Sequence, residues 1–165
     1  MNETLGRLCA GSAAGFAACG PMTALMETAG RLLPHEEQEH LPPRQITERA
    51  AEKADVEDDM TEDQKAAATM ASHFAYAAGF GAAYAALAPH VPLPPVARGV
   101  AFAPGVWAGS YLGLLPAAGL YPPATRESAS RNALMVAAHV VWGATLGAVE
   151  RELADGTDRR ARRRK

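Results

Sequence analysis

Charged residues are absent from four long segments of this chain, roughly residues 8–26, 66–88, 99–121 and 133–149. Each segment is close to the ~20 residues that an α-helix needs to cross ~30 Å of hydrocarbon. Leucine and isoleucine are less frequent in the segments than alanine and glycine, so their hydropathy is only marginally high. A soluble helical bundle therefore remains an alternative to four membrane spans.

The segments also lack the polar face that each helix of a soluble bundle needs. Residues 99–121 offer only Ser110, with Trp107 and Tyr111 as amphipathic side chains. Three prolines lie inside the segments: Pro21, Pro104 and Pro116. Because proline and glycine are better tolerated in membrane helices than in soluble ones, we predict an all-α, four-span transmembrane helical bundle.

Cysteine is nearly absent as well. Cys9 and Cys19 fall in the same predicted helix, ten positions and therefore ~15 Å apart along its axis. The two thiols cannot pair with each other, so they do not indicate a redox compartment. The stretch FAACG faintly resembles a lipoprotein cleavage site at Cys19, but apolar sequence continues beyond it.

Charge is concentrated outside the four segments. Of 18 acidic residues, 11 lie between Pro34 and Gln64, and six of the 16 basic residues form the terminal run DRRARRRK. We divide the chain into a membrane domain, residues 1–150, with an acidic outer segment, residues 34–64, and a basic tail, residues 151–165. Within the acidic segment the sequence predicts a short helix with Thr47 as its N-cap, either as a solvated connector or as a docking site.

The basic tail sets the predicted orientation. Lys and Arg close to a span are retained in the cytoplasm, so four spans place both termini in the cytoplasm of a bacterial cell and the multi-pass domain in its inner membrane. The tail is expected to contact anionic lipid headgroups. A nucleic-acid-binding arm is the alternative, but no aromatic residues are interleaved with the arginines, and we predict no nucleic-acid partner.

Small residues recur every four positions in every segment. The glycines expected at helix contacts are Gly11 and Gly15, Gly79 (in the stripe Ala71, Ala75, Gly79, Ala83), Gly105, Gly109 and Gly113, and Gly143 and Gly147. Within a bilayer, helices associate through such close backbone approach. The pattern predicts a tight bundle and allows a homo-oligomer or larger membrane complex, although an Ala-rich composition produces some of these matches by chance.

Polar side chains recur in the outer half of the predicted bundle. The candidate intramembrane cluster consists of His73, His139, Tyr76, Tyr111, Ser110 and Glu27. An ionisable residue inside a membrane is by default a functional hypothesis. Three interpretations remain: histidines that only bond helices together, a pocket that handles protons or a small solute, and paired axial ligation of a haem.

Signals of catalysis are missing from the sequence. No serine, cysteine or carboxylate has the neighbouring base and orienting group of an activated nucleophile, and no phosphate-binding loop or zinc motif occurs. A loose divalent-metal site is conceivable at five residues of the acidic segment, His35, Glu36, Glu37, Glu39 and His40, although exposed acidic loops commonly have this composition. We predict a non-enzymatic membrane protein without a cofactor or a specific metal site.

Three motifs carry a resemblance to a known group. LPPR at 41–44, an early histidine in the second span (His73) and HVVWGATLG at 139–147 together resemble the YagU-like group of small bacterial inner-membrane proteins. The resemblance implies an inner-membrane location and a multi-span helical fold, and it implies no activity because the group has no established biochemical function. The acidic first outer segment and the Arg-rich tail depart from that group.

Overall fold

The structure, a computed structural model, describes residues 3–38 and 40–162, with side chains for residues 4–38 and 40–154. The described part contains helices and no strand. Its five main helices are α1 (Glu3–Gly30), α2 (Pro42–Lys53), α3 (Glu62–Leu87), α4 (Pro95–Ala117) and α5 (Ala129–Arg162). The all-α prediction is confirmed. The basic tail predicted for residues 151–165 continues α5 as far as Arg162, and its side chains from residue 155 onward lie outside the described part.

Local sequence explains where the helices begin. Thr61 caps α3 through a capping box, because its hydroxyl accepts from the Gln64 backbone N–H while the Gln64 side chain accepts from the Thr61 backbone. Helix α2 begins at Pro42, not after Thr47. The prediction of Thr47 as N-cap was wrong because proline suits the first turn of a helix, where its missing N–H has no intrahelical partner.

The four long helices form an antiparallel bundle in which α1 packs on α3 and α5, and α5 packs on α1 and α4. Helix α2 lies against α3 at one end of the bundle, called the α2 end below, and the loop of residues 88–94 lies at the other. The indole N–H of Trp142 donates to the carbonyl of Gly15 over 3.1 Å, so a hydrogen bond joins the α1–α3 pair to the α4–α5 pair.

Two glycine seams hold these helix pairs. In the α1–α3 seam, a Cβ added at Gly81 would collide with the carbonyl oxygen of Gly11 and lie 2.8 Å from the Cα of Gly15. In the α4–α5 seam, a Cβ added at Gly99 would collide with the carbonyl of Gly143, and one added at Gly147 with that of Pro95. The backbones touch at these points, as small-residue packing in a membrane requires.

Part of the predicted glycine packing differs from the structure. No atom of the described residues lies within 4 Å of a Cβ built at Gly79, Gly105, Gly109 or Gly113. The seam of α3 instead uses Ala77, Gly81 and Ala85, and that of α4 uses Gly99 and Ala103. Both helices carry several series of small residues at four-residue spacing, and the spacing alone does not show which series contacts the neighbouring helix.

Three helices of the described part are long and apolar enough to cross a membrane, judged by length and composition: Thr4–Gly30, Pro95–Ala117 and Ala129–Ala154. Helix α3 is not among them, because Ser72, His73 and two tyrosines lower its hydropathy. The segment predicted at 99–121 is displaced, since the helix ends at Ala117 and Gly119 follows with a φ of 63°, a backbone conformation that favours glycine.

Gly81 and Gly79 provide a matched pair that tests the α1–α3 seam. Replacing Gly81 with Ala inserts a methyl group into a backbone contact, and we expect a loss of about 1–3 kcal/mol of stability. Replacing Gly79 with Ala adds a methyl group in open space, and the higher helix propensity of alanine should leave stability unchanged or raise it by up to ~1 kcal/mol. Thermal unfolding in detergent measures both. Equal midpoints for the two variants would contradict the seam.

Candidate functional site

The two histidines of the predicted polar cluster, His73 and His139, lie where the glycine seams end. His73 precedes Ala77, Gly81 and Ala85 on α3 at four-residue intervals, and His139 precedes Gly143 and Gly147 on α5 in the same way. Residues four apart share one face of a helix. Each histidine therefore points into the space between helices on the α2 side of its seam. His73 shares the face of the seam, which lies opposite the stripe that contains Gly79.

A central cavity of about 130 Å³ occupies this space. Each of the five main helices contributes at least one residue to its wall. The lining residues are Met22, Met26, Pro43, Ile46, Ser72, His73, Tyr76, Ser110, Tyr111, Leu115 and His139. The structure thus brings together five of the six residues of the predicted polar cluster. No carboxylate of the described residues lines the cavity.

Hydrogen bonds orient His139. Its Nδ1 lies 2.8 Å from the carbonyl oxygen of Met135, one turn earlier in α5. A carbonyl oxygen can only accept, so Nδ1 carries the proton and the neutral ring keeps Nε2 as an acceptor. The ring of Tyr111 contacts the imidazole edge to face, with 6.1 Å between centroids. The histidine ring is 7% exposed, so one defined acceptor is held in a buried position.

Tyr76 and Ser110 close the cavity between α3 and α4. The Ser110 hydroxyl donates to the carbonyl of Val106 over 2.7 Å, and it lies 2.7 Å from the Tyr76 hydroxyl. Since the serine proton is already committed, Tyr76 donates to Ser110 Oγ. Tyr84 supplies a second bond between the same helices, from its hydroxyl to the carbonyl of Pro95.

A π-helical segment, Gly109–Leu114, positions Ser110 and Tyr111. The segment ends two residues before Pro116. In a regular α-helix the ring of Pro116 would collide with the carbonyl of Leu112, four residues earlier. The wider turn accommodates that carbonyl, and such segments are frequent at functional sites. The prolines inside the apolar segments were a sequence signal of membrane helices, but they did not indicate which residues the irregular turn would bury.

A second cavity of about 30 Å³ adjoins the first and extends it along the bundle. His73, His139, Tyr76 and Met22 line both, and Trp142 borders the smaller one. Sequence reasoning missed the roles of Trp142 and of the two cavity methionines, Met22 and Met26. Apolar residues on an apolar helix give no signal of which side faces a cavity.

A larger groove of about 510 Å³ lies between α1 and α3 at the α2 end. This α1–α3 groove includes Thr23, Glu27, Arg31, Leu41, Arg44, Glu62, Ala66, Met70 and His73 in its wall. Glu27, the sixth member of the predicted cluster, lies here and does not line the central cavity. His73, Met26 and Pro43 line both the groove and the cavity, so these three side chains separate the two spaces.

Helix α2 forms the roof of the cavity through Pro43 and Ile46. It is tied to α3 by the ion pair of Arg44 with Glu62, 2.7 Å apart, and by Thr47 and Ser72, whose hydroxyl oxygens are 3.2 Å apart. Arg44 also pairs with Glu48 within α2. The acidic segment is therefore a packed part of the bundle and not only a solvated connector.

A buried arginine secures the α2 end. Arg131 is 9% exposed and donates to the carbonyl of Glu37, to the hydroxyl of Tyr121 and to the carboxylate of Glu127. The Ser130 hydroxyl donates to the Glu37 carboxylate. The hydroxyls of Ser130 and Ser128, with the charge of Arg131, hold the pKa of Glu37 below its ordinary value of 4.5.

The cavity can bind small molecules by hydrogen bonds. At ~30 Å³ of liquid volume per water, it has room for about four waters or a solute of a few heavy atoms. Pockets for drug-sized ligands measure ~300–1,000 Å³, and a porphyrin is at least of that size, so the geometry does not favour the paired haem ligation considered above. The residues of the loose metal site diverge, because Glu37 faces α5 while His40 lies 3.9 Å from Glu48; Glu39 lies outside the described residues.

One comparison with known proteins gives a match. A family model described as "Protein of unknown function (DUF1440)" matches residues 28–148, which include α2, α3, α4 and most of the apolar part of α5. No curated protein and no solved structure matches the chain. The matched range contains every polar residue of the central cavity.

The lowered pKa of Glu37 predicts an acid-sensitive contact at the α2 end. A carboxyl whose folded pKa is depressed contributes stability above its ordinary value and loses it as the pH falls from 4.5 through the lower folded value. Replacing Glu37 with Gln removes this titration and should flatten the decline of the unfolding midpoint between pH 5 and pH 3. The exposed neighbour Glu36, replaced with Gln, serves as control and should behave like the wild type. Parallel curves for all three proteins would contradict the contact.

Proposed function

The chain belongs to the family described as protein of unknown function (DUF1440), and we propose that it is a four-span protein whose central cavity handles protons or a small neutral solute. Three of its helices are apolar enough to cross a membrane. A family of unknown function and membrane-compatible helices fit an uncharacterised membrane protein. The fourth span, the orientation and the activity are proposals that rest on the arguments below.

Helix α3 is the proposed fourth span. It has 26 residues, about 39 Å at 1.5 Å per residue, and carries no charged side chain from Ala66 to Leu87. Its backbone contacts α1, an apolar helix, over the glycine seam. The polar side chains that lower its hydropathy include His73, which faces the interior cavity, and Tyr84, which is 1% exposed. Polar groups in membrane helices are expected on such interior faces.

Orientation follows from the terminal arginines. With four spans and a cytoplasmic tail, both termini lie in the cytoplasm, the α2 end faces outward, and the membrane is a bacterial inner membrane, as the YagU-like resemblance also implies. The tail would contact anionic headgroups. A second copy or a larger complex is a further proposal, which the unoccupied surface at Gly105, Gly109 and Gly113 supports.

One observation carries the proposed activity: polar side chains of α3, α4 and α5 converge on one cavity that has no carboxylate among its described lining residues. This wall offers no opposite charge to a permanently charged solute, so burying such a solute there would cost a large desolvation free energy. Neutral histidines, tyrosines and a serine instead offer donors and acceptors to water, a proton or a small neutral molecule. A non-enzymatic role agrees with this set, which contains no activated nucleophile.

The competing function is helix packing alone. Histidine hydrogen bonds between membrane helices contribute about 0.6 kcal/mol on average. The hydrogen bond of His139 to the Met135 carbonyl lies within its own helix and does not join two helices. This observation favours a role in the cavity over a purely structural role.

The test replaces His73 and His139, separately, with Gln. A positive charge on His139 would be buried without a carboxylate among the described residues of the cavity wall, so lowering the pH from 8 to 5, where histidine usually changes charge, should lower the unfolding midpoint of the wild type in detergent. His73 is half-buried and also lines the groove that contains Glu27 and Glu62, so its contribution should be smaller. A change of about 1 kcal/mol corresponds to roughly 2–4 °C. The Gln variants should lose part of this dependence.

His90, which is exposed in the loop of residues 88–94, gives the matched control. The His90→Gln variant should keep the pH dependence of the wild type. A wild type with a flat midpoint across this range, indistinguishable from both cavity variants, would leave the histidines as packing residues and end the proposal.

A further inference from the structure

The α1–α3 groove has the dimensions of one membrane leaflet. It runs along α3 from Glu62 to His73, eleven residues and therefore ~16 Å at 1.5 Å per residue. Half of a ~30 Å hydrocarbon layer is ~15 Å. The groove lies on the α2 side of the α1–α3 seam, in which the backbones are in contact around Gly11, Gly15 and Gly81.

The wall of the groove changes character along its length. Arg31, Arg44 and Glu62 lie toward its outer end, whereas Met26 and Met70 supply apolar surface closer to His73, beside the hydroxyls of Thr23 and Thr69. Met70 is 47% exposed and Ala66 is exposed beside it, so this wall is open to the surroundings of the bundle. At membrane depth, those surroundings are acyl chains.

We propose that the α1–α3 groove binds one glycerophospholipid from the leaflet at the α2 end, through its phosphate and one acyl chain. An acyl chain fills the apolar part as far as His73, since an unfilled groove would leave its walls without dispersion contacts. The headgroup lies on the rim. This inference goes beyond the proposed function, because the groove is a site separate from the central cavity and its occupant is a lipid.

Charge on the rim favours a phosphate group. Arg44 is committed to Glu48 and Glu62, whereas no ion pair to Arg31 is found among the described residues. Arg31 is exposed and lies one helical turn from Glu27, which is also exposed. A phosphate beside the Arg31 guanidinium would accept charge-assisted hydrogen bonds, as the phosphate of phosphatidylethanolamine can.

The experiment titrates the purified full chain with phosphatidylethanolamine and, in parallel, with diacylglycerol of the same acyl chains, and counts bound lipids by native mass spectrometry. We expect one phosphatidylethanolamine per chain to bind before any others. Ala66→Trp fills the groove and should weaken this first binding about tenfold or more. Ala67→Trp is the matched control, because Ala67 is exposed on the same turn of α3 outside the groove wall.

A second pair keeps the test decisive if Ala66→Trp does not fold. Arg31→Gln should weaken the first phosphatidylethanolamine about fivefold and leave diacylglycerol binding unchanged. Arg126→Gln, which removes another exposed arginine at the α2 end, should change neither. Equal losses for Ala66→Trp and Ala67→Trp, equal losses for the two arginine variants, or no preference for phosphatidylethanolamine would show only non-specific annular lipid and overturn the proposal. A lipid result of either kind leaves the pH dependence of the histidine variants unaffected.

Discussion

Backbone contact at two glycine seams is the constraint from which the rest of the structure follows. Gly81 against Gly11 and Gly15, and Gly99 against Gly143, leave no room for a side chain. Helices held this closely at one point must separate where larger residues follow. In both pairs that separation begins near a histidine, His73 in α3 and His139 in α5, and the space that opens on the α2 side becomes the central cavity.

The cavity is defined by bonds that do not depend on charge. Trp142 joins α5 to α1 through the carbonyl of Gly15, and Tyr76 joins α3 to Ser110 of α4. Helix α2 then covers the α2 end, where Arg44 and Arg131 anchor it and the neighbouring loops through partly buried ion pairs. Ionised groups are thus kept at the roof while neutral donors and acceptors line the interior, which is the division of polarity expected of a membrane-embedded pocket.

Helical periodicity predicted the central cluster well and the packing contacts only in part. His73, His139, Tyr76, Ser110 and Tyr111 were expected in one half of the bundle because position along a helix follows from residue number, and they line one cavity. Rotation about the helix axis is harder to predict in an Ala-rich helix. Gly79 and Gly81 are equally small, so only the shape of the neighbouring helix decides that Gly81 forms the contact. For the same reason, the contact in α4 is formed by Gly99 and not by the predicted Gly105, Gly109 and Gly113. Glu27 lies in the groove because α1 and α3 diverge, a tertiary effect that spacing does not encode.

The central claim is that α3 crosses the membrane and thereby places the cavity inside the bilayer. Single cysteines at Asp58 and His90, in a background with Cys9 and Cys19 replaced by Ser, flank α3 and are exposed. Labelling with an impermeant thiol reagent in intact cells, before and after permeabilisation, reports the side of each. A membrane-spanning α3 predicts that one position reacts in intact cells and the other only after permeabilisation. Reaction of both positions in intact cells, or of neither before permeabilisation, would contradict the account.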